Sequence, residues 1–559
     1  MKNTISLVTL GMMLAACGGG SDSNGNTGNN GSVGTTPPVT TPPATTPPAT
    51  TPPVVVTPEV KVLSGTVVRY AAEGSGVAFD VQIKPNFTPA GTLFVTASDN
   101  ASVVSPAVAV TANADGSYAL ALATMNNATR GHYSGDITLK LCADQACATS
   151  QTVASVTVPY DLNVVAYGTA WPGDKLTTLA PWTDVPDWST FQGNPAHTGY
   201  VPVEIKPEQV LPRWKTGAIS QAAVSSYGYG YGYASTLAAA NGIFYGAGDN
   251  VLKARKEHDG SLVWSYSVAA LAYPSVNPPA VANGIVYMAA GQQNSTTMFA
   301  FDAATGTVKF KAPMGSQWDN YLAPVALDDA VYTNAGTYGG LYAFKPTGDQ
   351  LFVSNTSQTS MWSPALDAST AYVYNGNTLS LLDRKTGTVQ STIRDVNTSY
   401  YGYQLNGAPV LGAGGNVFAA NYGSAVPGSS AGNELLKFNT AKSFIDWRIK
   451  GNYPLTPAYA SGVVYAQNLS PYRIEARAEG DGALLWSWVP GPAAETGWSG
   501  EPVVTKNLLF VSAIKATYAI DLATHKVVWS YPMVGRLALT RSGILYIQNQ
   551  EALVAFNVK

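Results

Sequence analysis

A unit of roughly 40 to 45 residues recurs through the C-terminal part of the chain and limits its fold more than any other feature. Each copy contains a short strand that ends in an aromatic ring, followed by a strand–turn–strand unit such as MFAFDAATGTVKF at residues 298–310. Four short strands per repeat at this period predict a β-propeller. The rings that end the short strands lie 36 to 47 residues apart and are Tyr245, Tyr287, Tyr332, Tyr374, Phe418, Tyr465, Phe510 and Tyr546.

A second aromatic residue closes the strand–turn–strand unit in most copies, although the fourth copy has Ser391 there. Eight short strands are present, but the last unit, ALVAFNVK, stops before its outer strand. The missing strand is LPRWKTG at residues 211–217, so we predict an eight-bladed propeller of four-stranded blades whose last blade is closed by this N-terminal strand. The predicted blade-docking aromatics are Trp214, Trp264, Phe310, Phe352, Trp447, Trp486 and Trp529.

The N-terminus has the features of a lipoprotein signal. One Lys, a short apolar run and small residues precede Cys17, and the run is too short for a transmembrane helix. Because LAAC resembles the bacterial lipobox, residues 1–16 are expected to be a signal peptide and Cys17 to be lipidated; a plain signal peptide with an accidental Cys is the alternative. Gly18 after the Cys implies the outer membrane, facing the periplasm or the cell surface. Several acyl chains would give a stable membrane anchor.

A disordered tether is predicted to follow. Residues 17–58 are rich in Gly, Ser and Asn and then contain TTPP four times. Such Pro-rich repeats adopt extended polyproline II and act as spacers. A Pro-rich ligand for a recognition domain is the alternative.

Residues 59–165 contain short runs of alternating apolar and polar residues, with Ala-Asp-Gly at one hairpin turn. This pattern predicts an immunoglobulin-like β-sandwich of about seven strands. A linker rich in Pro and Trp is expected at residues 166–186, and the propeller at residues 187–559. In an exported protein, Cys142 and Cys147 of LCADQAC are expected to form a disulfide; two free thiols are the alternative.

The charge of the chain argues against nucleic-acid binding. Charged residues make up 12% of the sequence, and the net charge is −3. No cluster of Lys and Arg forms the basic patch that such binding needs.

The turn AFDAATGTVKF, with Ala300, Asp302, Thr305, Gly306 and Phe310, resembles the tryptophan-docking repeat of pyrroloquinoline-quinone-like propellers. WSTFQGNPAHTGYVP at residues 188–202 resembles the lead-in of the same superfamily, and the overall plan is similar to that of the BamB-like lipoproteins of the outer-membrane protein assembly machinery. This resemblance implies an envelope protein partner, such as an outer-membrane β-barrel, and a role in outer-membrane protein assembly or secretion.

The same superfamily also contains quinone-dependent dehydrogenases, so the resemblance allows a second function for this chain. They hold the quinone between a Cys–Cys ring and a Trp, and bind Ca²⁺ with Glu, Asn and Asp. Residues 187–559 contain no Cys and no acidic calcium-type loop. We therefore expect no catalytic residues, no bound PQQ, Ca²⁺ or other metal, and no enzymatic activity; a PQQ-dependent dehydrogenase is the alternative.

The loops between blades are expected to share one face with the loops inside each second hairpin, and they are rich in rings. Tyr and Trp favour protein interfaces because they contact a large area at low entropic cost. Alternatively, each ring fills a gap between blades, or the rings stack on polysaccharide. The predicted partner-binding face consists of Tyr227, Tyr229, Tyr231, Tyr233, Tyr273, Trp318, Tyr321, Trp362, Tyr400, Tyr401, Tyr403, Tyr453 and Trp498.

Overall fold

The computed structural model of the chain describes residues 57–72, 76–129, 131–148, 152–165, 176–217, 236–248, 250–268, 275–292, 294–315, 321–335, 340–356, 360–398, 404–421, 434–490, 497–513 and 516–559. The predicted signal peptide, Cys17 and nearly all of the tether lie outside these residues. The described chain consists of strands and turns, with short 3-10 turns at Pro207–Gln209 and Ala413–Gly415. Within these ranges, no helix is long and apolar enough to cross a bilayer.

Two four-stranded sheets form the first folded region. Its strands are β1 (Val60–Val62), β2 (Val67–Ala72), β3 (Ala78–Pro85), β4 (Phe94–Ser98), β5 (Ala109–Ala112), β6 (Tyr118–Ala123), β7 (Gly131–Cys142) and β8 (Thr152–Val165). The sheet orders are β1-β3-β6-β5 and β2-β8-β7-β4, and β2 runs parallel to β8. Alternate side chains of β3, namely Phe79, Val81 and Ile83, enter a core shared by both sheets. Cys142 forms a disulfide with Cys147 in the following turn.

Successive antiparallel sheets make up the rest of the described chain, which is the architecture of a β-propeller. We number these sheets as blades 1 to 8. Each is built on four strands, which follow one another in chain order from the inside outward except in blade 8, where β9 is the outer strand. Blade 1 comprises β10 (Ala238–Ala240), β11 (Ile243–Gly248), β12 (Val251–Lys256) and β13 (Leu262–Ser267), and blade 2 comprises β14 (Ser275–Val276), β15 (Ala280–Ala282), β16 (Ile285–Gln292), β17 (Ser295–Asp302) and β18 (Val308–Met314). Blade 3 comprises β19 (Val325–Leu327), β20 (Ala330–Asn334), β21 (Leu341–Phe344) and β22 (Gln350–Ser354). Blade 4 comprises β24 (Ala365–Leu366), β25 (Thr370–Tyr374), β26 (Thr378–Asp383) and β27 (Val389–Arg394).

Blade 2 carries one extra short strand, because β14 and β15 both pair with β16. Two loop segments, β23 (Ser360–Trp362) and β28 (Gln404–Gly407), pair with each other in parallel. Blade 5 comprises β29 (Val410–Leu411), β30 (Asn416–Ala420), β31 (Leu435–Asn439) and β32 (Phe444–Ile449), and blade 6 comprises β33 (Ala458–Ala460), β34 (Val463–Leu469), β35 (Tyr472–Ala478) and β36 (Leu484–Trp488). Blade 7 comprises β37 (Val503–Val504), β38 (Leu508–Ala513), β39 (Ala516–Asp521) and β40 (Val527–Tyr531). Blade 8 comprises β41 (Arg536–Leu539), β42 (Ile544–Gln548), β43 (Ala552–Asn557) and β9 (Leu211–Gly217).

The strand at residues 211–217 completes blade 8, as the sequence predicts. β9 pairs antiparallel with β43, and Trp214 lies opposite Ala555. The seam also uses the end of the predicted linker: Trp182 donates from its backbone to the carbonyl of Arg541, and Arg213 donates to the carbonyl of Thr177. The described part of the linker is therefore packed against blade 8 instead of forming a free connection.

The sandwich packs directly on the outer strand of blade 7. The side-chain amide of Asn163 donates to the carbonyl oxygen of Ser530 at 2.6 Å, and the Ser530 hydroxyl donates to Asp161. All three residues are buried, and Val68 joins the apolar cluster around Tyr518. The contact covers a sheet edge that would otherwise expose unpaired backbone groups.

Candidate interaction face and central channel

A single segment, residues 188–199, lines the inside of the ring of inner strands. Its groups bond in chain order to seven blades, at distances of 2.6 to 3.0 Å. The channel side of these strands is therefore occupied by the chain itself. The bonded pairs are Trp188 O with Ala239 N, Ser189 O with Val281 N, Thr190 Oγ1 with Pro324 O, Pro195 O with Leu366 N, Ala196 O with Leu411 N, Thr198 O with Tyr459 N, and Gly199 O with Val504 N.

His197 lies fully buried in the middle of this segment. Its Nδ1 is 2.8 Å from the carbonyl oxygen of Phe191, and its Nε2 is 2.9 Å from that of Pro364. Burial lowers the pKa of His197, although the two carbonyls oppose that shift. A neutral imidazole carries one N–H, so it donates to one of the two carbonyls. The residue is structural: it ties the segment to the start of blade 4.

The predicted docking aromatics pack on the outer turn of the next blade. A Cβ added to Gly306 of blade 2 would lie 2.6 Å from Cδ2 of Trp264 of blade 1. The Trp264 indole also donates to the carbonyl of Ala303 at 3.0 Å. Phe310, Phe352 and Trp447 pack in the same way on Gly348, Gly387 and Gly482 of the blades that follow them, and Trp214 packs on Gly260 of blade 1.

An acidic residue fixes the bend of this turn in blades 2, 4 and 7. The Asp302 carboxylate accepts bonds from the backbone N–H groups of Ala304 and Thr305 and from the Thr305 hydroxyl. The Thr305 hydroxyl, followed by the backbone groups, lowers the pKa of Asp302. Asp383 and Asp521 make the same bonds in blades 4 and 7. The motif therefore shapes a blade turn.

Ser391 replaces the docking aromatic of blade 4, and Ser443 with φ +57° replaces the turn glycine of blade 5. Two further docking positions depart from the rule. His525 takes the place of the turn glycine in blade 7 with φ +58°, and its ring stacks on Trp486 with centroids 4.6 Å apart. The Nε1 of Trp529 is buried without a hydrogen-bond acceptor. Blade 8 explains the second case, because β43 and β9 come from opposite ends of the domain and no turn joins them to supply a carbonyl.

The structure corrects part of the predicted partner-binding face. Tyr321, Trp362 and Tyr453 are at most 1% exposed, so they cannot form a surface. Tyr321 donates to the carbonyl of Ala335, and Tyr453 donates to Glu475 at 2.8 Å. Their rings fill gaps between neighbouring blades, because burying a large ring there removes more apolar area from water than leaving it exposed.

Trp498 alone among the described members of that face is partly exposed. The remaining predicted face residues lie outside the described parts of the chain. They are Tyr227, Tyr229, Tyr231, Tyr233, Tyr273, Trp318, Tyr400, Tyr401 and Tyr403.

Buried charges lie beneath the loop face, and no sequence pattern predicts them. Glu475 is fully buried and accepts bonds from Tyr453, Arg473 and Arg477. Burial alone would raise the pKa of Glu475, but these bonds, led by Arg477, lower it overall. Because β35 alternates charged and apolar residues like an exposed strand, periodicity could not reveal this site.

A second network joins blades 4 and 5. Arg448 donates to Asp395 at 2.5 Å and to Glu434. Asn421 also donates to Glu434, and Thr398 donates to Asp395. Burial alone would raise the pKa of Asp395, but the bonds from Arg448 and Thr398 lower it overall.

These carboxylates do not fit the calcium and quinone site of the dehydrogenases. Both networks direct Arg side chains at the oxygens that a cation would need. No group of three or more His, Cys, Asp or Glu side chains within the described ranges could hold a metal ion. The described networks therefore favour a structural role for these charges.

Comparison with known proteins agrees with the propeller repeat. A family described as "Outer membrane protein assembly factor BamB" matches residues 234–487, which span blades 1 to 6. No curated protein matches the chain by sequence.

Solved structures with a similar fold include BamB from Moraxella catarrhalis, which shares 17% sequence identity with a TM-score of 0.46. The match covers 58% of this chain and 96% of that one. A europium-containing methanol dehydrogenase shares 11% identity with a TM-score of 0.49 over 66% and 98% of the two chains. Apo AztD from Citrobacter koseri shares 11% identity with a TM-score of 0.37 over 61% and 90%. Over residues 234–487, the chain thus carries a BamB-like β-propeller repeat.

Proposed function

We propose that this chain is a non-catalytic protein-binding scaffold of the bacterial cell envelope. In this proposal an immunoglobulin-like sandwich and a closed eight-bladed propeller are tethered to the outer membrane through lipidated Cys17. The partner is an envelope protein, such as an outer-membrane β-barrel, and the role is in outer-membrane protein assembly or secretion.

The observation that carries this proposal is the segment at residues 188–199. It bonds to the inner strands of seven blades, so the interior of the ring serves to hold the fold together. The surfaces left for function are the loops and outer strands. Scaffolds bind their partners through such exposed surfaces. The family match to an outer-membrane assembly factor favours the same choice.

The partner surface in this proposal is the loop face without its buried members. Its aromatic residues include Tyr229, Trp318 and the partly exposed Trp498. The experiment is an affinity pull-down from detergent-solubilised envelopes with the acylated full-length chain as bait. The Tyr229→Ala/Trp318→Ala variant is compared with Phe444→Ala, which removes a 44% exposed ring from the outer strand of blade 5.

We expect an outer-membrane β-barrel to be enriched by the native chain and by Phe444→Ala, and to be lost with the loop variant. Retention by the loop variant would refute this face, and the absence of any enriched barrel would refute the assembly role.

The proposal also excludes quinone chemistry. An absorbance titration of the purified chain with pyrroloquinoline quinone, with and without Ca²⁺, should show no saturable uptake. Stoichiometric uptake would favour a dehydrogenase instead.

A further inference from the structure

A cavity of about 640 Å³ opens on the loop face between blades 6, 7 and 8. Cavities of this size commonly hold small ligands. Apolar side chains and planar polar side chains both line the cavity, and the repeat motif of the blades does not account for it. The lining consists of Leu455, Trp498, Ser499, Gly500, Pro532, Met533, Val534, Gly535, Arg536, Gln548, Asn549, Gln550 and Glu551.

Trp498 forms a rigid aromatic wall of this cavity. Its indole Nε1 donates to the carbonyl of Asn468 at 3.2 Å, and its ring lies 4.8 Å from that of Tyr472. Tyr472 is itself held by a 2.9 Å bond from its hydroxyl to the carbonyl of Gly497. The ring orientation is therefore fixed before any ligand arrives, which lowers the entropic cost of binding.

The floor is polar but carries no net charge. Arg536 donates to Glu501 at 2.8 Å, and each side chain is only 8% exposed. Arg536 is the one cation among the lining residues, and Glu501 neutralises it. An apolar ligand would remove the remaining water from this ion pair without replacing its hydrogen bonds, and that is costly. An anionic ligand would meet Glu551 without an unneutralised cation to receive it.

The rim is a fixed turn that presents exposed polar side chains. Asn549 accepts bonds from the backbone of Glu551 and Ala552, both at 2.9 Å, and donates to the carbonyl of Val534 at 3.0 Å. The side chains of Gln550 and Glu551 are exposed at this turn. An amide such as that of Gln550 both donates and accepts, as a hydroxyl group does.

From these features we infer that the cavity binds a short neutral saccharide. The partly positive C–H face of a sugar ring packs on the electron-rich face of Trp498. Its hydroxyl groups bond to the rim amide and carboxylate and face the polar floor. This activity goes beyond the proposed protein scaffold and would give the propeller a second ligand in the cell envelope.

The test is isothermal titration calorimetry of the purified full-length chain with chitotriose, cellotriose and maltotriose, and with trigalacturonate as an anionic counterpart. Gln550→Ala alters only an exposed turn side chain, and Trp498→Ala removes the wall. Gln350→Ala, which replaces an exposed Gln on blade 3, is the matched control. Thermal unfolding of each variant establishes that it is folded.

We expect at least one neutral trisaccharide to bind with a dissociation constant roughly in the millimolar range. Gln550→Ala should weaken that binding severalfold, Trp498→Ala about tenfold or more, and Gln350→Ala should leave it unchanged. The inference is overturned if none of the neutral sugars binds at millimolar concentration, if trigalacturonate binds more tightly than they do, or if Gln550→Ala binds like the native chain.

Discussion

Gly306 of blade 2 lies against the indole of Trp264 of blade 1 so closely that a Cβ at this position would be 2.6 Å from the ring. The glycine also has φ +72°, a conformation that other residues adopt at a cost. Two independent constraints, one from the backbone and one from packing, therefore require glycine here.

The two constraints can be separated with a matched pair of variants. Gly242 has φ +76°, but a Cβ there would meet no atom within 4 Å. Gly242→Ala should cost about 1–2 kcal/mol from backbone strain alone. Gly306→Ala should cost a further 1–3 kcal/mol, roughly, because the methyl group overpacks the indole. Urea unfolding measures both, and equal losses would contradict the packing role.

The indole N–H of a docking Trp also contributes to stability where an acceptor exists. Trp264 donates to Ala303, whereas the Nε1 of Trp529 is buried without an acceptor. Trp264→Phe should therefore lose about 1 kcal/mol more of the free energy of unfolding than Trp529→Phe. Both variants lose similar volume, so the difference reports the hydrogen bond. If Trp529→Phe loses more of the free energy of unfolding than Trp264→Phe, the hydrogen bond from Trp264 to Ala303 does not account for the difference between the two positions.

The contact between sandwich and propeller depends on Asn163 and Ser530. Asn163→Ala removes the donor to the blade 7 edge, and Ser530→Ala leaves Asp161 buried without that hydroxyl. Because the side chains bond to each other, the two losses should not add, with a coupling energy of about 1 kcal/mol or more in a double-mutant cycle. Thermal unfolding of the four proteins measures it. Strict additivity would mean that the two domains do not rely on this network.

Periodicity predicted the features that repeat. Ring-ending strands and docking aromatics recur at a period near 40 to 45 residues, and the strand around Trp214 supplies the one outer strand that the last repeat lacks, so the sequence reveals them. The turn glycines carry a second signal, since a Thr-Gly bend between two strands needs a positive φ.

Features that do not repeat could not be predicted from the sequence. Asp161 and Ser530 lie 369 residues apart and belong to no motif, so nothing in the sequence links them. The burial of Tyr321, Trp362 and Tyr453 was missed for a different reason. A loop ring that fills a gap between blades and a loop ring that faces water have the same sequence pattern, and only the packing of neighbouring blades distinguishes them.

The pH dependence of stability should reveal a buried acid at the seam between blades 8 and 1. Glu257 is 1% exposed, and its carboxyl group accepts bonds from Ser542 at 2.5 Å and Tyr546 at 3.5 Å. Burial raises the pKa of Glu257 above its ordinary value of 4.5, although the bond from Ser542 opposes this. At pH values between the unfolded and native pKa values, the native state therefore holds a proton that the unfolded chain has released.

The sign of the effect follows from this difference. Stability from the neutral acid is complete below pH 4.5 and is lost as pH rises toward the native pKa, by about 1.4 kcal/mol for each unit that separates the two pKa values. Glu257→Gln keeps a neutral hydrogen-bonding group of the same shape and does not ionise. Its melting temperature should match that of the native chain at about pH 4 and exceed it increasingly toward about pH 8. Glu59→Gln, which changes an exposed residue, should run parallel to the native chain throughout. Parallel curves for Glu257→Gln as well would show that the seam tolerates the ionised acid.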